Sequence, residues 1–162
     1  MKLRLATIDD AEALRAIYNR EVLETTHTFD IEPRSLEEQE EWIREREGAL
    51  GVIVAEIEGE VAGFASLSPY RPRAAYRTSV ENSVYVATSA RGAGVGRALM
   101  DELIDVATQR GFHTIIAHIV GGHEASIGLH HSCGFQVVGT EREVGRKFGK
   151  WLDVVVMQRM LA

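Results

Sequence analysis

Residues 2 to 6 alternate polar and apolar side chains through Lys2, Leu3, Arg4 and Leu5, the period-two pattern of an edge strand. Thr7 follows as a helix cap, and Ala13, Leu14, Ile17, Tyr18 and Leu23 recur at helical spacing, which predicts a helix from about Asp9 to Glu24. Ser35-Leu36-Glu37-Glu38 has the capping-box spacing and predicts a second helix to about Glu47, apolar at Trp42 and Ile43. Its remaining charges read as a solvated face.

Two apolar runs, Val52–Ala55 and Val61–Ala65, flank an acidic Glu-Gly-Glu stretch and predict a hairpin. A strand over about Ser79 to Ala87, a helix ending near Arg110 before Gly111, and a strand over Thr114–Ile119 come next. A short helix from about Glu124 to Ser132 precedes Gly134. Phe135 to Val144 and Trp151 to Met160 then read as two strands joined through Gly145–Lys150. Strands interspersed with helices, without repeats or a linker, predict one domain over residues 1–162 built as an α/β three-layer sandwich.

The segment Arg91-Gly92-Ala93-Gly94-Val95-Gly96-Arg97 sits between a strand and a helix start. Unpaired N–H groups at a helix N-terminus, uncrowded by side chains, favour a phosphate or pyrophosphate. Spacing narrows the choice. Read from Gly92 and Gly94, a dinucleotide fingerprint would need glycine where Arg97 stands, and no glycine is followed by the Lys-Ser or Lys-Thr of a nucleoside-triphosphate loop. What remains is R-x-x-G-x-G; a glycine-rich connection without a ligand is the plain alternative.

Composition narrows the partners. The 162 residues are 45% hydrophobic and 26% charged, with 18 basic against 24 acidic side chains, so nucleic acid is not an expected partner. No apolar run approaches a membrane span, and Met1–Leu5 leads into Thr7-Ile8-Asp9-Asp10 without a signal-peptide core. Cys133 is the single cysteine, expected to pack rather than react. A cytoplasmic protein is the resulting expectation. His123, His130 and His131 do not complete an H-E-x-x-H pattern, so no metal is expected, and the absence of G-x-S-x-G disfavours a serine hydrolase.

R-x-x-G-x-G resembles the coenzyme A pyrophosphate loop of the GCN5-related N-acetyltransferases (GNAT). Longer words agree in order: Val80-Glu81-Asn82-Ser83-Val84-Tyr85-Val86, Glu124-Ala125-Ser126, Leu129-His130 with Gly134-Phe135, and Glu143-Val144-Gly145-Arg146-Lys147-Phe148-Gly149-Lys150-Trp151-Leu152-Asp153. These are similar to the phosphinothricin and methionine sulfoximine acetyltransferases. The resemblance spans essentially the whole chain and implies a mixed, splayed sheet, acetyl-CoA as acetyl donor, direct transfer to a small amine acceptor and a homodimer.

Amine acetylation needs a proton acceptor, donors for the carbonyl oxygen and a proton for the thiolate. The resemblance makes Glu81 the general base; pairing with a neighbouring arginine such as Arg77 is the alternative. Backbone N–H groups of Val84, Tyr85 and Val86 are candidates for the carbonyl and, by the resemblance, for the cofactor's pantetheine arm. His130 stands where many relatives carry the tyrosine that protonates the thiolate, His123 where the pattern has an asparagine that bonds the pantetheine amides, and Ser132 at a position near the cofactor. On the acceptor side, Arg71, Arg73 and Arg77, with Ala74, Ala75 and Tyr76 between them, suit a carboxylate or phosphinate. Thr28 and Phe29 follow the first helix and suit an acceptor wall. Two other readings stay open: a non-catalytic acyl-CoA sensor, and an enzyme acting on peptide N-termini.

Overall fold

The computed structural model describes residues 1–161. Seven strands form one sheet in the order β1-β2-β3-β4-β5-β7-β6, with β1 Lys2–Leu5, β2 Gly51–Ile57, β3 Glu60–Pro69, β4 Ser79–Val86, β5 Thr114–Val120, β6 Gln136–Lys147 and β7 Lys150–Met160. Neighbours run antiparallel except β4 and β5, which are parallel. The helices are α1 Ala11–Glu24, α2 Leu36–Glu45, α3 Val95–Gln109 and α4 Glu124–Ser132.

Period-two alternation along β2 divides the core. Val52 and Val54 face α1 and α2, joining Leu14, Tyr18, Val22, Ile43 and Phe64. Ile53 and Ala55 face the other way and join Leu99, Met100, Leu103 and Ala107 of α3, with Ile127 and Leu129 of α4 packed at the edge. Helices therefore cover both faces, the expected three-layer arrangement with a mixed sheet.

Local chemistry moves two predicted boundaries. Arg4 grips both oxygens of Asp10 at 2.7 and 2.8 Å and the Thr7 N–H donates to the same carboxylate, so Ile8–Asp10 winds as a tight 3₁₀ turn before α1 begins. The last hairpin is longer than predicted. Its strands continue through Gly145 and Arg146, because Phe148 and Gly149, at φ +52° and +73°, close a two-residue turn between Lys147 and Lys150.

The register of β4 and β5 positions the site. Pairing runs from Ser79 opposite Thr114 to Glu81 opposite Ile116 and stops there. Beyond that point β4 stays paired with β3 as far as Val86, and β5 stays with β7 as far as Val120. The sheet splays between them.

Candidate active site

A cavity of about 270 Å³ occupies the splay, walled by Asn82–Val86 of β4, Ala117–Val120 of β5 and Ser126, Leu129 and His130 of α4, among others. Of the residues expected to bind cofactor, Val84, Tyr85, Val86, Arg91 and His123 line it. Because β4 has lost its neighbour on this side, part of its backbone hydrogen-bonding edge faces the cavity.

The glycine loop lies at the N-terminus of α3. Gly92 and Gly94 take φ of +79° and +81°, and a Cβ at either would meet nothing within 4 Å. Glycine is thus required by the left-handed backbone and not by crowding. Gly94 caps α3, leaving the first-turn N–H groups of Val95, Gly96 and Arg97 without intrahelical partners. The Val95 side chain is in the core, so only its backbone is available to a ligand. Gly96 is different: a Cβ there would lie 3.2 Å from Leu129, so α3 and α4 meet closely at this point. Arg97 pairs with Asp101 at 3.0 Å, and Ser132 bonds the Leu129 carbonyl at 2.7 Å; both are exposed and outside the cavity wall. An open helix N-terminus, a free strand edge and a cleft joining them fit an acyl-CoA donor.

Glu81 does not pair with Arg77. Its Oε1 accepts a 2.6 Å hydrogen bond from Nδ1 of His118, on β5 where the strands part. This carboxylate raises the imidazole pKa above its usual value, against the opposing effect of burial. Tyr70 lies parallel to the His118 ring at 6.3 Å, Tyr76 meets Tyr70 edge-on at 5.4 Å, and Arg71 sits 4.7 Å over Tyr70 and 5.6 Å over Tyr76. None of the expected acceptor residues Phe29, Arg71, Arg73, Ala74, Ala75, Tyr76 and Arg77 lines the cavity itself. Arg71 and Tyr76 reach its mouth through Tyr70 and His118. Arg73, Ala74, Ala75 and Arg77 are exposed on the loop. Phe29 packs against Gly145, where a Cβ would collide with its ring, and Lys147 bonds the Thr28 carbonyl at 2.9 Å, so this stretch is tied to the β6–β7 hairpin.

His130 has both ring nitrogens in hydrogen bonds. It is 3% exposed, with Nδ1 2.7 Å from the Ser126 carbonyl and Nε2 2.9 Å from the Asn82 amide nitrogen. A carbonyl only accepts, so Nδ1 carries the hydrogen, and Nε2 spends its lone pair on the Asn82 N–H. Burial pushes its pKa down, against the Ser126 carbonyl, which favours the charged ring. The ring fixes Asn82, whose Oδ1 is buried without a hydrogen-bond partner.

His123 stacks flat on His27 at 3.6 Å between ring centres. Burial, with His27 alongside, pushes the His123 pKa down to about 4. Glu21, 3% exposed, bonds His27 at 3.1 Å, Thr25 at 2.8 Å and Arg91 at 2.7 Å. Glu21, His27, Asn82 and His118 were not singled out by sequence reasoning. Their signal was present only in part: Glu21 is a carboxylate within a predicted helix, and His118 is a polar residue flanked by apolar ones in a strand. Cys133 is buried and its pKa is raised by desolvation, as a packing thiol should be.

A sheet parted between two parallel strands, with a glycine loop at a helix N-terminus beside the gap, is the architecture of an acetyltransferase. The chain belongs to the acetyltransferase (GNAT) domain family, whose sequence profile matches residues 3–156. It is 40% identical over 158 residues to the L-methionine sulfoximine/L-methionine sulfone acetyltransferase of Pseudomonas paraeruginosa, covering 96% of this chain and 92% of that protein. It also superposes on a GNAT superfamily phosphinothricin acetyltransferase from Sinorhizobium meliloti in complex with acetyl-CoA, with a TM-score of 0.96, 39% identity, and 99% and 88% of the two chains covered. A ribosomal-protein-alanine N-acetyltransferase from Brucella melitensis matches with a TM-score of 0.97 and 46% identity over 99% and 100% of the chains.

Proposed function

We propose that this chain moves acetyl from acetyl-CoA to the α-amine of a small amino-acid-like acceptor of the phosphinothricin, methionine sulfoximine or methionine sulfone type. The observation that carries the reading is the placement of the Glu81 carboxylate where the splay begins, at the head of a cleft that leads to the α3 N-terminus. The names of the relatives support the acceptor class.

Backbone N–H groups over Arg91–Arg97 would hold the pyrophosphate, and the exposed edge of Val84–Val86 the pantetheine arm. The donor supplies a thioester, already activated toward an amine. Glu81 serves as general base in direct transfer, with no acetylated side chain on the way. Arg71, with Tyr76 and Tyr70, offers a cation and apolar faces at the mouth, which suits an acidic or zwitterionic acceptor. A homodimer through the last hairpin would cover the exposed Val144, Phe148 and Trp151. We place the protein in the cytoplasm, where a lone thiol stays reduced.

The likeness to the ribosomal-protein-alanine enzyme favours a second reading, a peptide N-terminus as acceptor. Thiol release from acetyl-CoA, followed across amino acids, their sulfoximine, sulfone and phosphinate analogues, and short alanine-headed peptides, separates the two. Release dependent on a small zwitterion is expected. Release only with peptides would overturn the small-acceptor reading, and binding without release for any amine would leave a sensor module.

A further inference from the structure

The Glu81 carboxylate is not alone. Nδ1 of His118 lies 2.6 Å from Oε1, and an ionised carboxylate accepts only, so Nδ1 carries the hydrogen. The other ring nitrogen, Nε2, forms no hydrogen bond among the described residues, and His118 lines the cavity whereas Glu81 does not. Both side chains are about one-third exposed, at 30% and 32%, so the pair is open to an arriving amine. Charged groups around His118 are few. Glu81 and, at longer range, Glu141 favour its cation, and Arg71 opposes it; Tyr70 covers one face of the ring at 6.3 Å.

We propose that the proton taken from the acceptor amine ends on Nε2 of His118, with Glu81 as the residue that fixes the imidazole tautomer and faces its positive charge. This rests on the amine-acetylation reading and changes which atom of the site holds the proton. As the amine attacks, its N–H bond breaks and the electron pair stays on nitrogen, which forms the amide C–N bond. The thioester C–S pair leaves with sulfur. The proton joins Nε2, directly or through one water, and the imidazolium later returns it to solvent. His118 as base and Glu81 as orienting carboxylate divide the work as an imidazole and its carboxylate partner do in acyl transfer generally.

Neutral His118 is the competent form, so kcat/KM should fall as pH drops through its pKa, which the Glu81 contact holds above the ordinary histidine value. His118→Gln keeps a side-chain N–H for Glu81 but cannot take a proton. It should lose about tenfold or more in kcat, keep its KM for acetyl-CoA, keep its melting temperature and lose the acid limb assigned to the imidazole. A readout free of turnover accompanies it: the His118 ring, followed by NMR, should titrate above an ordinary histidine in the wild type and lower in Glu81→Gln. A His118→Gln enzyme with wild-type kcat and an unchanged acid limb would overturn the inference while leaving acetylation intact. Failure of the wild type to acetylate any amine would remove the underlying reading and the inference together.

Discussion

The two ends of the cleft are built by different means. The donor end is backbone: two glycines at positive φ, a helix N-terminus and an unpaired strand edge, all within Val84–Arg97. The acceptor end is side chains gathered from distant segments, with Glu81 on β4, His118 on β5, and Tyr70 and Arg71 after β3. In the proposed reading, a ligand common to many enzymes would be held by groups that every sequence possesses, provided the chain can take the required turn. The acceptor would be held by side chains that can change without disturbing the turn.

The largest effect should come from the acceptor end. Glu81→Gln removes the charge that orients and stabilises His118 and should cost on the order of 10²-fold or more in turnover near neutral pH, with acetyl-CoA binding retained. Steady-state kinetics with an accepted amine, and calorimetric titration with acetyl-CoA, check the two parts. Unchanged turnover would sink the assignment of this carboxylate and erase the contrast between the two ends.

The donor end should respond in the opposite sense. Gly94→Ala places a Cβ in open space but on a backbone at φ +81°, at a cost of roughly 1–2 kcal/mol per residue forced left-handed. If the loop relaxes to escape that strain, its N–H groups turn away, and the KM for acetyl-CoA should rise about tenfold while the KM for the amine stays put. Gly59 is the control, at φ +80° in the β2–β3 turn, equally uncrowded and outside the loop at the α3 N-terminus. Gly59→Ala should lower stability similarly and leave both KM values alone. Equal kinetics for the two variants would mean that the turn at Gly94 does not shape the donor site.

The same contrast explains what could be read from the sequence. R-x-x-G-x-G between a strand and a helix carries its own geometry, and the element order followed from periodicity, so the fold and the position of the glycine loop were legible. The strand that carries Glu81 was legible, but not the partner of its carboxylate. Its pairing with His118 across 37 residues depends on the parallel register of β4 and β5, which no local pattern announces. The surroundings of His130 were hidden for a related reason: its position suggested an acid, and only the structure shows its ring nitrogens bonded to the Ser126 carbonyl and the Asn82 amide. The extent of the last hairpin was missed because Phe148 in a left-handed conformation is unusual for a bulky residue.

The smallest expected effect tests the cleft's shoulder, where side chains rather than backbone approach the donor. His123 lies against His27 with its pKa near 4, well below the ordinary value of 6.5, so it remains neutral in the folded protein where the unfolded chain already binds a proton. Protons bound preferentially by the unfolded chain make stability rise with pH. The contribution is therefore complete above about pH 6.5 and is lost as pH falls toward 4. Between pH 7 and 5 the protein should lose on the order of 1 kcal/mol through this ring, once solvent screening of a partly exposed group is allowed for. His123→Asn removes the titration and keeps a polar side chain, so urea midpoints measured at both pH values should converge in the variant relative to the wild type. If the two proteins lose the same stability between pH 7 and 5, the stacked imidazoles do not control the acid response. The shoulder would then resemble the donor loop, indifferent to which side chains it carries.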